Sequence, residues 1–431
     1  MNVMGERRTM RRNIRELPRP AWFLVAGHFV NWFASFAIVF LVLYLTRRGY
    51  SFAAAGAAVA AYGIGEMITG GLAGHLADRI GRRNTMAVSM FASAASTLAV
   101  YFVHGYAVIL GVAFVAGAAT EGWRPASRAL MADVVPEGQR VTAFALVRLA
   151  GNLGIAGGSA VAGFLADRSF LWVFVTDAAT SALFGTLVLL ALPHGRVTGR
   201  AEERERGGYG MILADRAFVM FLVSSAVISF VYFQGQSASL PLHVVRISHL
   251  APSDFGLLLA LNGLLVVALE LPISSITMHR PPQRMIALGF LLVGLGFGLT
   301  ATAHTLPTLL GTVAIWTLGE MIAAPVGYAY VADIAPEHLR GRYQGLYGAF
   351  WGTGSVTGPA IGTWLLAQSV TAFWALCGVL GLVAALMVLA GRPPGRHVRG
   401  RVRVVVPHTE PAIVAPVPGD ALFPEESAVQ A

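Results

Sequence analysis

The chain has 431 residues, of which 56% are hydrophobic and 12% charged, with a formal net charge of +9 and a mean hydropathy of +0.65. Soluble proteins carry roughly 25% charged residues, so the balance is that of an all-α membrane protein crossing the bilayer many times, not of a soluble bundle. All 31 basic residues are arginine, and the single cysteine, Cys377, lies in an apolar run, so neither a disulfide nor a thiolate metal site can be built.

In chain order, residues 1–20 form a basic arm. The apolar stretch behind it is 25 residues long (21–45), too long for a secretory signal core, and reads as an uncleaved first span. A helix needs ~20 apolar residues to cross ~30 Å of hydrocarbon. Twelve segments meet that requirement: 21–45, 53–77, 84–103, 107–131, 141–166, 170–192, 216–243, 254–277, 284–303, 307–331, 342–367 and 371–391. They form an N-terminal six-helix half (21–192) and a C-terminal six-helix half (216–391), joined by a polar connector at 193–215 with one amphipathic turn expected near Met211. Residues 392–431 are Pro-rich and expected to be a disordered tail, its basic start lying against anionic lipid headgroups.

Arginines beside the spans favour the cytoplasmic side. With both termini inside, 24 arginines face the cytoplasm and four (Arg47, Arg48, Arg168 and Arg246) face the other side, while Arg124, Arg128 and Arg148 fall within spans. This asymmetry accounts for the positive charge without a nucleic-acid partner. The expected location is a plasma membrane, with the lipid bilayer as partner.

An internal repeat links the halves. At an offset of 200, twelve of the forty-one positions from 125 to 165 are identical to their counterparts. They include Asp133, Pro136, Glu137 and Arg140 against Asp333, Pro336, Glu337 and Arg340. Spans 4–5 and 10–11 therefore match in the same orientation, as in transporters built from two parallel repeats.

Between spans 2 and 3 lies GLAGHLADRIGRR, Gly71 to Arg83. Gly74 permits close helix approach, Gly81 a tight turn, and Asp78 can oppose the positive end of a neighbouring helix. The pattern Gly74-x3-Asp78-Arg79-x-Gly81-Arg82-Arg83 resembles the cytoplasmic signature of the major facilitator superfamily; the equivalent after span 8, SSITMHRPPQR, is degenerate. The resemblance implies that Asp78 docks on the N-terminus of span 11 and that Arg82 pairs with Asp133. It also implies that Arg79, Arg83, Glu137, Arg140, Asp333, Glu337 and Arg340 complete a cytoplasmic gate broken by inward opening. The alternative is that these charges only set the orientation.

FLVLYLTRRGYS, RLAGNLG and TLGEMIAAP further resemble bacterial multidrug-resistance-type exporters. That resemblance implies a drug:proton antiporter of this superfamily, moving small molecules and protons, needing no cofactor and working as a monomer. One departure is that span 5 reads GIAGGSAVAGF without the proline of the antiporter signature, whereas span 11 holds the Gly-Pro step in GTGSVTGPAIG.

Ionisable groups inside the bilayer cost ~2.5–3.5 kcal/mol each at a helix centre and need a partner or a role. In span 4, Gly117, Glu121, Arg124 and Arg128 form one helical stripe. Glu320 in span 10 has no arginine within a turn of its own helix and is the first candidate proton carrier, ahead of Glu66, Glu121 and Glu270. Glu121 has the alternative of an internal pair with Arg124. Arg148 is expected to neutralise an acid across the bundle or to meet an anionic substrate. His28, Asn31, Arg124, Arg148, Asn262 and Trp316 are the candidate cavity residues, and His28 has the alternative of a packed polar role. The scattered histidines predict no metal site. Without lysine there is no Walker-type ATP site, and no catalytic motif supports an enzyme. The leading expectation is proton-coupled efflux of apolar compounds. An uptake symporter for a sugar, organic acid or peptide, and a non-transporting membrane sensor, are the alternatives.

Overall fold

A computed structural model describes residues 14–136, 139–193, 209–277, 279–335 and 340–391. Eleven helices in it are long and apolar enough to cross a bilayer: α1 (Arg19–Arg47), α2 (Phe52–Ile80), α3 (Arg82–Phe102), α4 (Tyr106–Val134), α5 (Arg140–Arg168), α6 (Phe170–Ala191), α7 (Arg216–Ile247), α8 (Pro252–Thr277), α9 (Pro282–Leu299), α10 (Leu306–Ile334) and α12 (Val370–Ala390). The twelfth, α11, covers 340–368 and carries a π-helical turn, Gly358–Gly362. A six-residue helix, Tyr209–Ala214, stands where the connector predicts an amphipathic turn. The protein is a multi-pass membrane protein, and the described residues contain no strand.

Three spans are interrupted where the sequence pattern predicts continuous helices. One is α7, which leaves helical conformation at Ser237 and Ala238 before Ser239–Leu242 and a π-helical turn, His243–Ile247. In α1 the helix stops at Ala34 and restarts at Ala37. The freed N–H of Ala37 donates to Asp177 Oδ2 of α6 at 3.0 Å, so an acid deep in the membrane serves as a cap for a mid-membrane helix start. In α4 a turn at Gly122 separates Glu121 from Trp123. Gly122 itself keeps helical dihedrals (φ -62°, ψ -27°), so the predicted stripe from Gly117 to Arg128 runs on through the turn.

The helix pairings repeat six helices on. Within the first half, α1 packs on α5, α2 on α4, and α3 on α6; within the second, α7 packs on α11, α8 on α10, and α9 on α12. The halves meet through α5 against α8 and α2 against α11. That exchange symmetry is the structural form of the sequence repeat.

The interface is tight at one end only. Along α11, Gly345, Gly348, Gly352, Ser355, Pro359 and Thr363 form one stripe at steps of three and four. Its C-terminal part packs on α2, where a Cβ at Gly63 would lie 2.5 Å from the Ser355 carbonyl oxygen and one at Gly56 would collide with Thr363. Its N-terminal part faces open space, with nothing within 4 Å of a Cβ at Gly345, Gly348 or Gly352. On α8, Gly256 meets the Ser159 carbonyl and Gly263 the backbone of Ala156 on α5. The halves thus close at the arginine-poor face and diverge toward the arginine-rich one.

Candidate functional site

Three groups of polar side chains lie at the depth where the halves diverge. On the first half, Arg124 is ion-paired with Glu121 one turn away, and its guanidinium lies 4.6 Å from the ring centroid of Trp32 on α1. Glu66 of α2 is within electrostatic range of both charges. Gly122 keeps helical dihedrals, so Glu121 and Arg124, three residues apart, fall on the same side of α4.

On the second half, Glu320 of α10 accepts two hydrogen bonds from neutral donors on other helices. Tyr232 of α7 donates to Oε1 at 3.0 Å, and Asn262 of α8 donates to Oε2 at 3.1 Å. Asn262 Nδ2 also lies 3.0 Å from Thr317 Oγ1, one turn before Glu320. Trp351 of α11 stands beside Tyr232, with ring centroids 5.7 Å apart. Three helices therefore converge on one carboxyl.

The third group crosses between halves. Arg148 of α5 is ion-paired with Glu270 of α8, and its charge also reaches Glu320. The guanidinium side chain is 61% exposed while the Glu270 side chain is 13% exposed, so the arginine reaches through open space to an anchored acid. One cation thus faces two carboxyls, paired with one and near the other.

Three predicted cavity residues lie in helix packing. His28 is buried, with Nδ1 2.9 Å from the Leu24 carbonyl oxygen and its ring edge-on to Trp123. Asn31 is buried and reaches Met90 Sδ at 3.8 Å. Trp316 is buried in a stack with Phe297. Arg124, Arg148 and Asn262 stand with the charged groups.

At the arginine-rich face, Gly81 is the single residue linking α2 to α3, and its φ of 86° is a conformation that favours glycine. Arg82 is ion-paired with Asp133 at the end of α4 and donates to the Ala129 carbonyl at 2.9 Å. Arg79 and Asp333 are exposed, and Arg83 is partly buried. Glu137 and Glu337 lie outside the described residues, as do the surroundings of Gly74 and the side chains of Asp78, Arg140 and Arg340. Residues 392–431, the predicted tail, also lie outside them.

Sequence reasoning missed Tyr232 as a site residue. Its only signal is a hydroxyl within the aromatic run Phe230 to Phe233, which reads equally as lipid-facing or packed. It also left Glu320 without partners, since they lie 88 and 58 residues away.

This fold and its repeat have counterparts among known proteins. The family model of the Major Facilitator Superfamily matches residues 24–246 and 222–415. The chain belongs to the major facilitator superfamily. It is 28% identical over 358 residues to the uncharacterised MFS-type transporter YqjV of Bacillus subtilis, covering 79% of this chain and 85% of that protein. It is 26% identical to the multidrug resistance protein MdtH of Citrobacter koseri, covering 76% and 83%. Identity to a Na+, Li+, K+/H+ antiporter of Planococcus maritimus is 25%, covering 63% and 71%. The peptide transporter POT shares the fold at a TM-score of 0.73 and 19% identity, over 86% of this chain and 94% of that one. This major facilitator protein is accordingly a transporter and not an enzyme.

Proposed function

We propose that this transporter exports small, apolar compounds in exchange for protons, across a plasma membrane with both termini in the cytoplasm. The observation that carries the reading is Glu320: a half-buried carboxyl whose described hydrogen bonds come from neutral donors, beside an arginine already engaged by Glu270. A carboxyl in that setting can hold or release a proton without breaking an ion pair of its own. Glu66, with Glu121 and Arg124, offers a second titratable group in the opposite half. Trp32 and Trp351 supply aromatic surface on either side. The name of the MdtH relative supports efflux of drug-like cargo, and that of the Planococcus relative supports exchange against protons.

In the state described, the arginine-rich side is open and cargo enters from it. Closing that side brings the first turns of α11 onto the end of α2. Gly74 and Gly81 allow the approach. Asp78, Arg79, Arg82, Arg83, Asp133, Glu137 and Arg140 of the first half meet Asp333, Glu337 and Arg340 of the second. The proton bound from outside leaves Glu320 to the cytoplasm, driven by the membrane potential, which contributes ~2.3 kcal/mol per 100 mV for each charge moved.

Everted vesicles carrying the protein and a pH-sensitive dye test the reading. A panel of lipophilic dyes and antibiotics is added to an imposed proton gradient, with Glu320→Gln in parallel. Proton release by at least one compound with the wild type, and none with the variant, is expected. If no compound moves the gradient while a monovalent cation or a sugar does, drug export is wrong.

A further inference from the structure

On the arginine-poor face, where α1, α3 and the α5–α6 turn end together, the surface holds a cavity of about 210 Å3. Three of the four arginines assigned to that face, Arg47, Arg48 and Arg168, line it. Arginine is disfavoured on the outer side of a membrane protein, so the convergence of three in one cavity calls for a reason beyond orientation. None of the three is ion-paired among the described residues. The neighbouring acid Asp167 is turned to the other half, where it accepts the Ser253 N–H at 3.0 Å.

The cavity is also pre-shaped. Arg48 Nη1 donates to Tyr44 Oη and to the Val103 carbonyl oxygen, both at 3.0 Å, which fixes the guanidinium and leaves its other donors unassigned. Tyr44 is itself held, donating to the Tyr101 carbonyl oxygen at 2.6 Å, and the two rings stack. Arg47 lies over the Phe170 ring at 5.8 Å. Ser169 and Phe170, in the cavity wall, open the 22-residue helix α6, whose positive dipole end adds to the field.

We propose that this cavity binds a phosphate group. Guanidinium forks match the oxygens of phosphate in paired hydrogen bonds, and the helix ends place the cavity at headgroup depth. The group reaches it either as the headgroup of an anionic phospholipid or as a soluble phosphorylated solute.

The test uses the full-length protein in a neutral detergent, followed by its unfolding midpoint. Phosphatidylglycerol, inorganic phosphate and dioleoylglycerol (the same tails without phosphate) are titrated separately. The wild type is compared with Arg47→Gln/Arg168→Gln, which leaves the structurally bonded Arg48 in place. Arg168→Gln alone covers the case in which the double variant misfolds, and Arg246→Gln removes an arginine from the same face outside the cavity. Phosphatidylglycerol is expected to raise the wild-type midpoint at a concentration at least about tenfold lower than for the double variant, which lacks two charge-assisted contacts. A smaller loss is expected for Arg168→Gln and none for Arg246→Gln. The same pattern with inorganic phosphate identifies a soluble ligand instead of a lipid. Equal responses of wild type and both cavity variants, or an equal response to dioleoylglycerol, overturn the proposal.

Discussion

Arg148 of α5 and Glu270 of α8 form an ion pair that joins the two halves of the transporter at the place where they begin to separate. The exposure of the arginine limits its worth: a pair screened by water contributes about 1 kcal/mol or less. A double-mutant cycle of Arg148→Gln and Glu270→Gln on thermal unfolding should return a coupling of that size. A coupling near zero means that the halves are held by the packing of α5 on α8 and of α2 on α11 without help from the ion pair.

The Tyr232 and Asn262 contacts to Glu320 predict a graded series. Tyr232→Phe and Asn262→Ala each remove one hydrogen bond to Glu320, a change of ~1 kcal/mol, and Asn262→Ala also removes the contact to Thr317. Each should slow cargo-driven proton release several-fold while leaving cargo binding intact. Glu320→Gln should abolish proton release and also leave binding intact. Loss of binding in the two single variants would assign those side chains to cargo and not to the proton.

Replacing glycines at opposite ends of the interface should have opposite consequences. Gly63→Val puts methyl groups against the Ser355 carbonyl of α11, and overpacking of this kind costs ~1–3 kcal/mol. It should open the arginine-poor face and raise thiol labelling of a Ser355→Cys reporter about tenfold. Gly348→Val meets nothing in the present state, so the unfolding midpoint should hold while transport stops, because the arginine-rich side can no longer close. The native Cys377 is buried and adds little labelling background.

Asp177 predicts a stability effect separate from transport. Asp177→Ala leaves the Ala37 N–H without its acceptor and should cost about 1–2 kcal/mol of unfolding free energy. Asp177→Asn, which keeps an acceptor oxygen, should recover most of it. An equal loss in both variants would make charge, not hydrogen bonding, the relevant property.

The order and number of the spans were legible because each is a run of apolar residues bounded by arginine, glycine or proline. The Glu121–Arg124 pair was legible too, since its partners stand three residues apart on one chain segment. The break in α1 was not: Asn31 to Val42 carries no proline, and what ends the helix is an acceptor 140 residues away in α6. The same distance rule hid the partner of Arg148 and both partners of Glu320. Burial of Trp316 was equally hidden, because a membrane helix that is apolar on every face does not reveal which face meets protein, whereas the packed position of His28 is one of the two readings its sequence offers.

The stripe on α11 has a thermodynamic consequence. A helix face built from glycine and other small residues has almost no rotamer freedom to lose when it docks, whereas long side chains forfeit ~1–2 kcal/mol each. Engaging or releasing either end of α11 therefore carries little conformational entropy, and the open and closed arrangements can lie within a few kcal/mol of each other. A difference that small is within reach of one bound proton or one bound cargo molecule, since a ligand shifts such an equilibrium by as much as its preference for one state over the other.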